Sequence, residues 1–166
     1  VRAGAQLSVA ERARFAEIIE RLAVLATEFA QNVLGDEQET VFALTEAEVD
    51  GLPGDARAAA AELARARKLN APFAASTSRS SVEPILHYAT DRGVREKVWR
   101  AFVDRGRNGN SHDNRKIIAE LETLRSEIAR LLGYDTYAAY KLADTMAKTP
   151  EAAQGLLEQI WAPGGK

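Results

Sequence analysis

The sequence predicts an all-α fold: one array of about seven or eight helices over residues 1–166, with room for one short extended segment. Three observations lead there. Apolar residues recur at steps of three and four along several stretches, the spacing of one helix face. Capping residues and glycines punctuate those stretches where helices start and stop. No repeat of fixed period, low-complexity tract or long linker divides the chain.

Phe15, Ile18, Leu22, Leu25, Phe29 and Val33 form the first stripe. Ser8 and Glu11 make a capping-box pattern before it, and Gly35 suits its end. Glu17 and Arg21, four apart, should pair on the wet face. Thr40, Val41 and Phe42 fit either a short extended piece or a ragged helix end. Thr45 to Glu48 is a second capping box, opening a short helix that Gly51 and Pro53 close. Asp55 should cap an alanine-rich helix running to about Leu69, alanine being the best helix former.

Residues 70–80 read as a connector in which Phe73 to Ser76 could pair as an edge strand. Ser81, with Pro84 following, marks the next helix start, with Ile85, Leu86 and Ala89 on its inner face. Asp91 should cap a helix that buries Val94, Val98 and Phe102 with Trp99 beside them, and Glu96 and Arg100 form an exposed pair. Residues 106–112 (GRNGNSH) form the clearest loop. A long helix follows from near Asp113, striped by Ile117, Leu121, Leu124, Ile128 and Leu131 and stopped by Gly133. Asp135 opens a helix carrying Tyr137, Tyr140 and Leu142. Thr149-Pro150-Glu151 starts the last one, with Ala153, Leu156, Leu157, Ile160 and Trp161.

Composition narrows the function classes. A chain of 166 residues can bury a core without disulfides, and it contains no cysteine, which excludes disulfides and thiolate metal sites. The net charge of -2 argues against nucleic acid as a partner. A small nucleic-acid binder would have to rely on Arg92, Arg95, Arg100, Arg105 and Arg107, which Asp91, Glu96 and Asp104 balance. No run of 18 apolar residues exists to span a membrane, and no signal peptide is visible, so a cytoplasmic location is expected. The chain opens on Val1 and closes on residues 162–166 (APGGK), directly after a helical pattern. That reads as an internal piece of a longer protein, although Gly164 to Lys166 equally suit a cloning remnant.

Complete catalytic patterns are missing. The two histidines, His87 and His112, lie 25 residues apart and lack the H-E-x-x-H spacing of a zinc helix. Ser111-His112-Asp113 are adjacent, so their side chains should fan out rather than converge as a triad; Asp113 reads better as a helix cap. Gly106 and Gly109 do not make a phosphate loop. The pairs Asp36-Glu37 and Glu46/Glu48 read as caps and surface rather than acid–base pairs.

A set of short motifs carries a resemblance. Residues 29–37 (FAQNVLGDE), 51–53 (GLP), 76–84 (STSRSSVEP), 92–96 (RGVRE), 113–118 (DNRKII), 131–134 (LLGY) and 143–150 (ADTMAKTP) occur in order along nearly the whole chain. Together they resemble the zinc oligopeptidases of the thimet oligopeptidase group, most of all the bacterial dipeptidyl carboxypeptidases (peptidyl-dipeptidases).

The resemblance implies a helical wall along a deep channel for short peptides, preceding the catalytic half. The zinc ligands would lie in an H-E-x-x-H helix and a later glutamate, none of which is present here. It therefore implies zinc in the parent enzyme, no cofactor in this chain, and no catalytic or metal residue among these 166. The expected partners are the remainder of the parent catalytic domain and short peptides. Asn108, His112, Asn114, Tyr137 and Tyr140 are the candidates for lining the channel, the two tyrosines as an exposed pair; a structural turn and core aromatics are the alternative. The adjacent apolar pairs Leu131/Leu132, Leu156/Leu157 and Ile160/Trp161 point about 100° apart on a helix. Such wide apolar faces predict self-association of the isolated chain. The alternative to this family reading is a stand-alone helical module that holds a partner peptide or helix in a groove.

Overall fold

A computed structural model describes residues 4–164; Val1 and the Gly165-Lys166 end lie outside the described residues. Among the described residues there are seven α-helices and two short strands. In chain order they are α1 (Val9–Glu39), β1 (Val41–Leu44), α2 (Gly54–Ala66), β2 (Phe73–Ser76), α3 (Arg79–Tyr88), α4 (Arg92–Val103), α5 (Arg115–Leu131), α6 (Tyr137–Leu142) and α7 (Pro150–Gly164), with a 3-10 turn at Ala47–Val49. The chain divides into two compact units. A central unit spans Glu28–Arg115, and a terminal unit combines Val1–Thr27 with Lys116–Lys166.

The terminal unit is built on the stripes predicted for α1 and α5. Ile18, Leu25, Leu124 and Ile128 are buried together, with Phe15, Leu22, Ile117, Leu121 and Leu131 packed around them. Two guanidinium–carboxylate forks flank this seam. Arg14 donates to Glu127 at 2.7 and 2.9 Å, and Arg21 to Glu120 at 2.6 and 2.8 Å. As the number rises along α1 it falls along α5, so the helices run antiparallel. The local pair formed by Arg14 is with Glu17, at 3.1 Å, and the fork on Arg21 comes from α5 rather than from the expected Glu17. The capping box holds: Ser8 N–H donates to Glu11 and Glu11 N–H to the Ser8 hydroxyl. Helix α5 ends as predicted at Gly133 (φ +79°), with Gly133 N–H bonding Arg130 C=O and Tyr134 N–H bonding Ala129 C=O. That pair of bonds is the Schellman pattern, which needs a left-handed residue at this position.

The central unit has the larger core: Leu44, Val49, Phe73, Ala75, Val82, Ile85, Ala89, Val94 and Val98. Both candidate extended pieces are strands. They pair antiparallel, Val41 opposite Ser76 and Leu44 opposite Phe73. As expected, β2 is an edge strand, paired on one side only in this two-stranded sheet, and all four of its residues are buried. The second capping box also forms, Thr45 N–H donating to Glu48 and Glu48 N–H to the Thr45 hydroxyl.

Several predicted boundaries move. Helix α1 continues through Gly35 to Glu39. Helix α2 starts at Gly54 behind Pro53, leaving Asp55 inside the first turn rather than capping it. It stops at Ala66, where Lys68 turns to φ 52°. Helix α3 begins at Arg79, because Ser81 instead accepts the Ser76 N–H at 3.0 Å. The α6 cap is Thr136 rather than Asp135, its hydroxyl accepting from Ala139 N–H. Asp91 and Thr149 cap α4 and α7 as expected.

Candidate functional site

Three of the five candidate residues gather around one carboxylate that sequence reasoning assigned to a cap or the surface. Asp36 sits in the last turn of α1 and is 1% exposed. The polar loop after α4 closes over it. Gly106 N–H donates to Asp36 Oδ2 at 3.0 Å, Asn108 Nδ2 to both oxygens at 3.2 and 3.3 Å, and Asn110 Nδ2 to Oδ1 at 3.2 Å. Asn114, 2% exposed, ties the loop to the same helix. Its Nδ2 donates to Phe29 C=O at 3.2 Å, and its Oδ1 accepts from Asn32 Nδ2 at 2.9 Å. Asn114 N–H also closes the loop on Gly106 C=O at 2.7 Å.

This arrangement explains the chemistry of Asp36. Burial by itself would raise its pKa, since the charged form loses water. The donors from Gly106, Asn110 and Asn108, with the charge of His112 nearby, outweigh that and hold the carboxyl below its ordinary value. Asp36 is thus ionised at neutral pH with its oxygens occupied by donors. It is a staple between helix and loop, not a free general base.

His112 accounts for the glycine near the C-terminal end of α1. A Cβ at residue 35 would lie 2.6 Å from the imidazole Nδ1 and 2.9 Å from Nε2. Only glycine admits the ring, so Gly35 marks a close approach rather than a helix stop. His112 Nε2 lies 3.0 Å from Glu39 Oε1, without hydrogen-bond geometry, and is buried. The Ser111-His112-Asp113 side chains diverge: His112 lies over Gly35, while Asp113 accepts from Gly109 N–H and Arg115. Among the described residues no three His, Cys, Asp or Glu side chains are placed to hold a metal ion.

Tyr137 and Tyr140 belong to the terminal unit, where both are half-buried rather than exposed. They pack against its core, 5.8 Å apart between ring centres, with Tyr134 edge-on to Tyr140 at 5.5 Å. Arg125 and Lys141 lie over the Tyr137 ring at 5.4 and 5.8 Å. The cluster is aromatic packing with cations on its faces.

The central unit carries a groove and a bowl. A groove of about 240 Å³ runs between the alanine face of α2 and the start of α3, with Ala56, Ala60 and Leu63 on one wall and Ser78, Ser80 and Ser81 on the other. A more open bowl of about 440 Å³ lies over Leu86, Arg92, Arg95, Glu96 and Trp99.

Helices joined by a polar loop that is tied to a buried carboxylate, with tyrosines packed against a helical core, make up this scaffold. Comparison with known proteins gives that scaffold a relationship. Residues 85–163 match Peptidase family M3. The chain is 35% identical to dipeptidyl carboxypeptidase of Salmonella typhimurium over 164 residues, covering 98% of this chain and 24% of that protein. It is 34% identical to oligopeptidase A of Haemophilus influenzae over 162 residues, 95% of this chain and 24% of the relative. Saccharolysin of Saccharomyces cerevisiae aligns at 26% identity over 96% of the chain and 22% of its own length. The chain is thus similar to these peptidases along 95–98% of its length, matches the family M3 model over residues 85–163, and spans about a quarter of the length of the relatives it matches.

Proposed function

We propose that this chain is the helical, non-catalytic portion of a longer zinc metallopeptidase of peptidyl-dipeptidase type, that it lines the channel receiving short peptides, and that it is inactive alone. The observation that carries the reading is the collinear alignment: 95–98% of this chain aligns with 24% of enzymes named dipeptidyl carboxypeptidase and oligopeptidase A. Cytoplasmic placement goes with the same reading; no helix among the described residues is long and apolar enough to cross a membrane.

In the parent, a bound zinc would activate water for attack on a peptide carbonyl. The described residues do not fit that ion, since no set of donors converges. The contribution of this portion is then shape and surface. Asn108, His112 and Asn114 act through the staple on Asp36, fixing the loop of residues 104–114 against α1, while Tyr137 and Tyr140 brace α6 on the terminal core. The remainder of the parent is the proposed partner for α7, whose Leu156, Leu157, Ile160 and Trp161 are 59–83% exposed. In isolation the same face should drive self-association.

The test is direct. The purified 166-residue chain is assayed with a blocked peptide from which a C-terminal dipeptide can be released, with and without added zinc, and its bound metal is measured. Neither turnover nor stoichiometric zinc is expected. Zinc-dependent hydrolysis by this chain would overturn the claim of inactivity. An H-E-x-x-H in the coding sequence beyond residue 166 would support the portion reading over a stand-alone peptide-binding module, and a stop codon there with no such motif would sink it.

A further inference from the structure

The arginines between residues 92 and 107 look alike in sequence, but the structure separates them. Arg100 pairs with Glu96, with Nε and Nη2 at 2.9 and 2.7 Å from the same carboxylate oxygen. Arg107 pairs with Asp104 at 2.6 Å. Arg105 donates to Phe102 C=O and Thr77 C=O and stacks over the Phe102 ring at 4.0 Å. Arg95 folds back on the carbonyls of Ala89 and Thr90. The Arg92 side chain makes no ion pair or hydrogen bond among the described residues, and the residue is exposed.

Arg92 lines the 440 Å³ bowl, and so does Trp99, two turns along α4, whose side chain remains 48% exposed. Leu86 contributes from α3. The carboxylate on this rim, Glu96, is already committed to Arg100. The bowl therefore offers an indole and a leucine side chain beside a guanidinium that has no ion-pair partner among the described residues. Guanidinium groups favour carboxylates through paired N–H donors, and tryptophan and arginine are the side chains most often found at the energetic centre of a peptide interface.

We propose that the Arg92–Trp99 bowl is a docking site for a peptide segment carrying a carboxylate next to an aromatic or large aliphatic side chain. The carboxylate pairs with Arg92 and the apolar side chain lies against Trp99 and Leu86. This surface is separate from the Asp36 staple, and the inference does not rest on the peptidase reading.

The test uses the full 166-residue chain carrying Trp161→Phe, so that Trp99 is the fluorescent reporter. It is titrated with the blocked peptide acetyl-Glu-Leu-Phe-amide, with its Gln counterpart, and with sodium acetate. The Glu peptide should give a saturable change in Trp99 emission, with the Gln peptide about fivefold weaker, as expected for one partly exposed charge contact. In Arg92→Gln the two peptides should bind equally, and in Trp99→Leu calorimetry should show the Glu peptide weakened about fivefold or more. Arg92 and Trp99 are both exposed, and an unchanged helical spectrum confirms folding of each variant. Three results would overturn the proposal: no saturable change at millimolar peptide, a preference for the Glu peptide that survives Arg92→Gln, or an equal response to acetate, which would mean simple anion binding.

Discussion

The central and terminal units place their polar groups differently. The central unit buries Asp36, Ser76, Thr77 and Asn114, whereas no polar or charged residue described in the terminal unit is buried. Both units leave large apolar side chains exposed, Leu34, Tyr88, Trp99 and Val103 in the central unit and a larger set, including Ile19, Ile118, Met146, Leu157 and Trp161, in the terminal one. One unit is held by a hydrogen-bonded loop in addition to its apolar core, the other by two helix stripes and surface charge. The lesson is that a polar, glycine-rich surface loop can bury a carboxylate beneath it, provided its donors meet that ionised acceptor.

Removing the staple should produce the largest difference. Asp36→Ala leaves the Gly106 N–H and the Asn108 and Asn110 amides without their acceptor. About 3 kcal/mol of lost stability is expected in thermal or urea unfolding, with Asp36→Asn losing less. Hydrogen exchange should place the loss at residues 104–114; an equal loss at α5 amides would erase the distinction between the units.

The Gly35–His112 contact gives a sharper test with a change of sign. Gly→Ala inside a helix ordinarily stabilises by about 1 kcal/mol. Here the new Cβ meets the imidazole, and Gly35→Ala should destabilise by about 1–2 kcal/mol. In a His112→Ala background the same substitution should become stabilising. A double-mutant cycle measures this coupling, and additive effects would show that the ring does not constrain the helix.

Acid should separate the units as well. The folded pKa of Asp36 lies below its ordinary 3.8. The stability it contributes is therefore complete above that unfolded value and is lost as pH falls below 3.8 toward the folded value. Protection of the 104–114 amides should decline over this range, and Asp36→Asn should flatten the dependence. Glu120 and Glu127 are also held low by their arginines, but they stand at the surface and contribute little.

The exposed face of α7 tests the other side of the comparison. Light scattering should show concentration-dependent association of the chain, reduced by Leu157→Glu with Trp161→Glu. A clean monomer at high concentration would count against an uncovered interface. The smallest effect is expected from Arg21→Gln, whose fork to Glu120 is solvent-exposed; its slight destabilisation should vanish with added salt.

What the sequence determined by itself was local. Ser8/Glu11, Thr45/Glu48, Asp91, Thr149 and Gly133 cap the helices assigned to them, because a cap is an interaction between residues a few positions apart. The stripes of α1 and α5 were equally legible, since helical periodicity alone puts Ile18 and Leu25 on one face. The motif order was also sufficient for the resemblance to dipeptidyl carboxypeptidases that the comparisons bear out. Asp36 was not legible: its partners lie 70 to 74 residues away, and nothing nearby distinguishes it from a surface acid. A helix-interior glycine followed by an acid was the available signal, and it read more simply as a stop. The pairing of β1 with β2, the bond from the Asn108 amide to Asp36, the burial of Asn114, and the half-burial of Tyr137 and Tyr140 share that cause. Only tertiary structure decides such features, because whether a polar or aromatic group faces water depends on which distant segment closes over it.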